Sequence, residues 1–238
     1  MSALLLALLV ATGAPSFFEQ GNAAYEAGDY ELAIAGYDSA ARAPSAAVFY
    51  NRGNARFKLG QLGRALADYR RARVLAPADP DVRHNLEFVR AYRPDRTLEI
   101  VNPLARLATA ALRATGLPLA RLATGFLAFA ALAGLGLFAL SRARGWLWAG
   151  VGLAVLAGWS AASWLSWSAE VGPDQAVVTR PEQALRSGPG EEYKDILIVH
   201  DGLEVSVRER RGRWVLVQAP GGEGGWADSG AVETIFPR

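Results

Sequence analysis

Apolar and polar residues follow three different rhythms along this chain. In the first third, apolar and small residues recur at helical spacing between charged ones. From Leu122 to Ser141 no residue is charged, and from Gly145 to Ala169 none is either; only Arg142-Ala-Arg144 divides the two runs. As a helix rising 1.5 Å per residue, each run is long enough to cross a hydrocarbon layer of roughly 30 Å. A buried helical hairpin in a soluble protein would need a surrounding core that this chain is too short to supply. The pattern therefore predicts transmembrane helices over 122–141 and 145–169. After Ala169 the runs become short and alternating. Ala176–Thr179, Ile196–Val199, Leu203–Val207 and Trp214–Val217 read as strands, separated by turns at Gly188-Pro-Gly, Asp201-Gly, Arg211-Gly and Pro220-Gly-Gly.

Tryptophan placement reinforces the hairpin. Five of the seven lie in the second run, Trp146 and Trp148 at one end and Trp164 and Trp167 at the other, with Trp159 between. The outer pairs are separated by roughly 31 Å of helix and suit the two membrane interfaces. Gly150, Ala154, Gly158 and Ala162 recur every fourth residue and predict one face for close helix contact, with Ala130 and Gly134 answering from the first span. Neither span carries an ionisable group, so the pair reads as an anchor rather than an ion path. A turn this short puts both flanking domains on one side of the membrane. Arg142 and Arg144 favour a cytoplasmic turn and outward-facing domains, while Arg106, Arg113 and Arg121 pull the other way. The apolar run Ala3–Ala11, too short to span, is signal-peptide-like, with a cut open after Gly13 or Ala14.

Residues 16–96 repeat internally at an offset of 32. Gly21-Asn22-Ala23 recurs as Gly53-Asn54-Ala55, Gly28 as Gly60, Ala33 as Ala65, Tyr37 as Tyr69 and Ala40 as Ala72. Each unit holds two helices broken at Gly28-Asp29 and Gly60-Gln61, and Pro80–Leu86 starts a third, partial unit that would cap the stack. These positions resemble the tetratricopeptide repeat, with Phe17 and Phe49 at its early aromatic site and Pro77 at its closing proline. The resemblance implies a concave groove for peptide segments of other proteins, with Asn22, Asn51, Asn54 and Asn85 facing it. Asp81 and Asn85 stand where the family's carboxylate clamp needs basic residues. Between repeat and membrane, Asn102-Pro103 opens a helix with Leu104, Leu107, Ala108, Ala111 and Leu112 on one face. It either lies on the membrane surface or packs on the repeats.

The C-terminal strands predict a compact antiparallel barrel. Leu185-Arg-Ser-Gly-Pro189, Gly202-Leu-Glu-Val205, Trp214-Val-Leu-Val217 and Gly225-Trp226 resemble, in order, the signatures of the bacterial SH3-like domain. That resemblance implies binding of peptides, cell-wall glycopeptides (peptidoglycan) or partner proteins, with Trp226 as a candidate groove residue and a core position as its other reading. Arg208, Arg210, Arg211 and Arg213 cluster at a hairpin turn, but residues 170–238 hold twelve acids against eight bases, which argues against nucleic acid.

Composition removes most chemistry. There is no cysteine, only His84 and His200, and a net charge of +2. That excludes disulfides, thiolate metal sites and cysteine nucleophiles. There is no phosphate-binding Gly-x-x-x-x-Gly-Lys loop, His-Glu-x-x-His helix or Gly-x-Ser-x-Gly elbow. No catalytic, metal or cofactor constellation is expected, and the chain reads as no enzyme.

The predicted fold class is multidomain: an all-α tetratricopeptide-like repeat, a transmembrane helical hairpin and a small all-β SH3-like barrel. The expected boundaries are 1–14 (signal-like), 15–96 (repeats), 97–121 (amphipathic helix), 122–141 and 145–169 (spans) and 170–238 (barrel). This order resembles BatE-like proteins of bacterial aerotolerance operons. The resemblance implies the inner membrane, envelope partners of the membrane-anchored von Willebrand A type and a MoxR-type ATPase, and a role in envelope stress tolerance. Both soluble domains are expected in the periplasm.

Overall fold

The computed structural model describes residues 16–95, 103–113, 116–172 and 174–236; the signal-like segment lies outside them. Five helices come first: α1 (Phe17–Glu26), α2 (Tyr30–Ala40), α3 (Ala46–Lys58), α4 (Leu62–Leu75) and α5 (Pro80–Tyr92). Their starts are written locally. Ser16 and Glu19 form a reciprocal capping box, Asp29 accepts from the Leu32 amide, Ser45 from Val48, and Asp79 from Asp81 and Val82 ahead of Pro80. Gly28 and Gly60 turn the chain at φ +82° and +73°, which glycine adopts without a Cβ penalty. Within each pair the helices meet on a glycine: a Cβ at Gly21 would lie 2.7 Å from the Tyr37 ring, and one at Gly53 2.8 Å from the Tyr69 ring. The 32-residue offset of the sequence is thus an offset of packing contacts. Ala33, Tyr37 and Ala55 fill one core, and Ala65, Leu66, Tyr69, Leu86 and Val89 the next.

The hairpin consists of α7 (Leu117–Ser141) and α8 (Arg144–Glu170), joined at Arg142 in the left-handed region (φ +55°). Both are long and apolar enough to cross a membrane, and only about 11% of each apolar window is covered by protein. Phe126, Phe129, Leu132, Leu140, Val155 and Leu165 point outward. The helices cross where a Cβ on Gly134 would lie 3.1 Å from the Gly150 Cα. The expected four-residue stripe does not continue along that seam: Ala154 and Gly158 are exposed, and a Cβ on Gly158 would meet nothing. At 3.6 residues per turn, a stripe at every fourth residue rotates by about 40° per step and leaves a nearly straight partner. The seam instead runs on to Ser160, whose hydroxyl donates to the Ala120 carbonyl (2.9 Å) and accepts from Thr124 (3.1 Å).

The helix predicted after Asn102 is α6 (Pro103–Leu112); it packs on α8, with Leu104 and Leu107 exposed. Just beyond it, Arg113 Nε donates to Ser166 Oγ (2.9 Å) and Nη2 to the Ser166 carbonyl (3.1 Å). The Trp167 ring, only 1% exposed, is flanked by the guanidinium groups of Arg113 and of Arg73 from α4 at 5.9 and 5.8 Å.

The remaining residues form one seven-stranded antiparallel sheet closed on a core of Ala176, Val178, Leu185, Val199, Val205, Val215 and Val217. Its strands are β1 (Gln175–Val178), β2 (Glu182–Arg186), β3 (Asp195–His200), β4 (Glu204–Arg211), β5 (Trp214–Gln218), β6 (Gly224–Asp228) and β7 (Val232–Thr234), in the order β3-β2-β6-β5-β4-β1-β7. Alternating apolar runs in the sequence mark β1, β3, β4 and β5 but not β2, β6 and β7. Those three are respectively polar, glycine-led and three residues long, so none shows an alternating apolar run.

The barrel sits directly on the repeats. Val177 and Ile235 share a core with Ala65, Leu66 and Tyr69. Asp201 Oδ1 accepts from the Gly63 amide (2.9 Å) at the start of α4, the helix whose own N-cap, Gln61, makes no side-chain cap. Glu204 receives Arg70 Nη1 (3.0 Å), Arg90 Nη2 (2.9 Å) and Arg93 Nη1 (3.3 Å). Arg71 reaches Glu233 (3.0 Å) and the carbonyls of Thr234 and Ile235, and Asp95 accepts from the His200 amide (2.6 Å).

Candidate functional site

The repeat groove is built from the two positions that recur most strictly, asparagine on the first helix and tyrosine on the second. Asn22 Oδ1 accepts from the Tyr37 hydroxyl and from Asn51 Nδ2, both at 2.9 Å. One unit on, Asn54 Oδ1 accepts from the Tyr69 hydroxyl (2.7 Å) and Asn85 Nδ2 (3.0 Å), and Asn85 Nδ2 also meets the Tyr50 hydroxyl (3.1 Å). The four sequence-predicted asparagines thus come together as two rungs, each tying a first helix to the next. The acceptor oxygens of Asn22 and Asn54 are committed to the stack. The amide nitrogens of Asn22 and Asn54 and the amide oxygens of Asn51 and Asn85 keep hydrogen-bonding capacity toward the groove. Burial, and then the neighbouring Tyr25, pushes the Tyr37 hydroxyl up to about 12, and burial raises Tyr69 as well. Both remain protonated donors at any physiological pH.

Two clefts open beside the rungs. One, of about 270 Å³, is lined by Asn22, Tyr25, Glu26, Tyr37, Asn51 and Asn54. The other, of about 340 Å³, lies between Asn54, Phe57, Lys58, His84, Asn85 and Phe88. Its rim is aromatic: Phe57 meets Phe88 edge-on at 5.7 Å, Phe88 stacks on Tyr92 at 6.1 Å, and Phe88 and Tyr92 are exposed. The sequence reading does not single out this shelf, although His84, Phe88 and Tyr92 stand at i, i+4 and i+8 of α5 and share a helix face. Asp81 and Asn85 occupy the third-unit positions where the clamp would be cationic; the cations in this cleft are Lys58 and, when protonated, His84. The groove suits a segment that brings apolar or aromatic side chains together with main-chain groups.

Behind the groove, Asp68 is fully buried under a fan of arginines. Arg52 pairs with it through two bonds (2.9 and 2.6 Å), Arg56 and Arg71 each add one at 2.9 Å, and Arg52 also holds Asp38 (2.6 Å). Four guanidinium-to-carboxylate bonds satisfy a carboxylate that could not otherwise be buried.

On the barrel, a cleft of about 360 Å³ is bordered by Gln175, Glu204, Ser206, Arg208, Gln218 and Pro220. Trp226 is not among these residues. It lies in β6, paired with Leu216 on one side and Arg186 on the other, 8% exposed, with the Arg211 guanidinium 5.2 Å above its ring. The arginine cluster is paired locally: Arg208 with Gln218, Arg210 with Thr234, Arg211 with Glu209, and Arg213 with Asp228. Among the described residues no three histidine, aspartate or glutamate side chains converge as metal ligands.

Residues 46–79 match the family model for the tetratricopeptide repeat, and residues 179–233 match that for the bacterial SH3 domain. No curated protein matches the chain. Both matched families are binding modules, and no catalytic family is found. A tetratricopeptide repeat and a bacterial SH3 domain on either side of two long apolar helices suggest a role in protein interaction.

Proposed function

We propose that the protein is a scaffold of the bacterial cell envelope, held in the inner membrane by the α7–α8 hairpin and presenting two binding surfaces to the periplasm. The observation that carries this reading is the pairing of two binding modules across a hairpin whose flanks are apolar and exposed. Exposed leucine and phenylalanine along α7, and leucine, valine and tryptophan along α8, cost free energy in water and none in lipid. The contact between barrel and repeats supports placing both ends of the hairpin in one aqueous phase. The groove, through Asn22, Asn51, Asn54 and Asn85, receives a segment of another envelope protein. The BatE-like order of domains points to von Willebrand A type membrane proteins and a MoxR-type ATPase as the neighbours, in envelope stress tolerance. Tethering in one membrane raises the local concentration of such partners, so weak contacts suffice.

The test is crosslinking in intact cells, followed by purification of the full chain from membranes. Recovery of envelope proteins, lost when Phe57 and Phe88 are both changed to Ser, supports the scaffold; recovery of lipid and the chain alone refutes it. The bacterial SH3 match supports a second reading, in which the barrel holds peptidoglycan. Detergent-solubilised full chain should then sediment with purified sacculi, and failure to do so removes that reading.

A further inference from the structure

Among the described residues the third repeat unit has a first helix, α5, and no second. In a stack of helix pairs, the inner flank of each first helix is covered by its own partner, and a terminal unit needs a cap. Here the next element after α5 in the described chain is the juxtamembrane helix α6, which packs on α8. Leu86 and Val89 of α5 are nevertheless at most 1% exposed, and they share a core with Val177 and Ile235 of the barrel. The barrel stands where the missing helix would.

Polar contacts repeat the arrangement. Asp201, in the turn before β4, accepts from the start of α4 and supplies the side-chain cap that Gln61 does not. Glu204 joins Arg70 of α4 to Arg90 of α5 and to Arg93 just past its end, holding the two helices at a fixed spacing. Gly63 permits the approach: a Cβ there would lie 2.1 Å from the Val178 carbonyl oxygen. Tyr69 and Val89 belong both to this joint and to the lining of the aromatic cleft. The floor of the groove is therefore the far side of the barrel contact.

We propose that the SH3 barrel is the C-terminal cap of the repeat stack, and that the groove keeps its shape only while the barrel is docked. Its last clause rests on the groove as a partner surface, but the test below reads structure and not binding, so the two can fail separately. The full chain in lipid nanodiscs is followed by amide hydrogen exchange, wild type against Glu204→Lys and against Asp201→Ala. Docking is monitored by a short bis-maleimide bridge between Arg64→Cys and Glu233→Cys, a unique pair in a chain without cysteine.

Loss of the bridge should be accompanied by at least a tenfold loss of protection in 62–92, with α1 and α7 unchanged. Glu204→Lys could also unfold the barrel, which loss of protection in β3–β5 would reveal; the response of 62–92 is decisive either way. Asp201→Ala leaves the barrel core intact and should move 62–92 in the same direction. Undocking with unchanged protection in 62–92 overturns the proposal. A bridge that forms between two chains instead of within one overturns it as well.

Discussion

At the scale of single residues, the stack depends on groups that are bonded in both directions. Asn54 accepts from Tyr69 and Asn85 at once, and Tyr69 is 2% exposed. Asn54→Ala strands a buried hydroxyl and should cost about 1–3 kcal/mol, whereas Tyr69→Phe removes donor and desolvation penalty together and should cost about 1 kcal/mol. Thermal unfolding of the full chain, followed by ellipticity, ranks the two. Glu204 makes the second prediction. Burial pushes its carboxyl up, but the charges of Arg90, Arg70 and Arg93 outweigh that and hold it at about 2, against an ordinary 4.5. A depressed carboxyl contributes stability above its unfolded value and loses it as pH falls through the folded one. The contact between barrel and repeats should therefore survive to about pH 4.5 and weaken from there toward pH 2. Asp201 works with the opposite sign: burial raises it, so protonation during mild acidification favours the docked state. The distance between spin labels at Arg64→Cys and Glu233→Cys, followed against pH, reads both; a joint that opened near pH 6 would contradict them.

Among the elements, what is legible in the sequence is what is written locally or recurs. The caps at Ser16, Asp29, Ser45 and Asp79 lie within three residues of the amides they serve, and the packing of Gly21 on Tyr37 is announced by its repetition 32 residues on. The asparagines stand out for the same reason. The hairpin seam is less legible, because a period-four stripe says that small residues share a face without saying how long a straight neighbour can follow it. Gly150→Leu should thus separate α7 from α8, while Gly158→Leu should be tolerated. Electrophoretic mobility and proteolysis of the hairpin in detergent distinguish the pair; equal effects would mean that the seam follows the stripe. Least legible is the barrel contact. Asp201, Glu204 and Glu233 look like ordinary surface acids, and their partners, the Gly63 amide, Arg70 and Arg71, lie more than 100 residues away, beyond any periodicity.

For the whole molecule, the ion pairs at the joint are distributed so that salt sorts them. Arg70, Arg93 and Glu204 are almost entirely buried, whereas Arg64 pairs with Glu233 in contact with solvent. Screening reaches the second kind and hardly touches the first. Raising sodium chloride from about 0.1 to 1 M, which shortens the screening length from roughly 10 to 3 Å, should leave the bis-maleimide yield nearly unchanged. A yield that fell severalfold would mean that the joint is held by its exposed rim.

Trp167 has a mechanical consequence. Its ring is clasped by Arg73 of the last complete repeat and Arg113 beyond α6, at the end of the second long helix. With the hairpin in a membrane, as proposed, such a clasp would restrict the swivel of the repeat stack and hold it near one height and one azimuth above the lipid. Reach would then be a selection rule for the proposed clients: one whose docking segment emerged at the wrong elevation would be refused whatever its affinity, and lengthening that segment by a few residues should admit it.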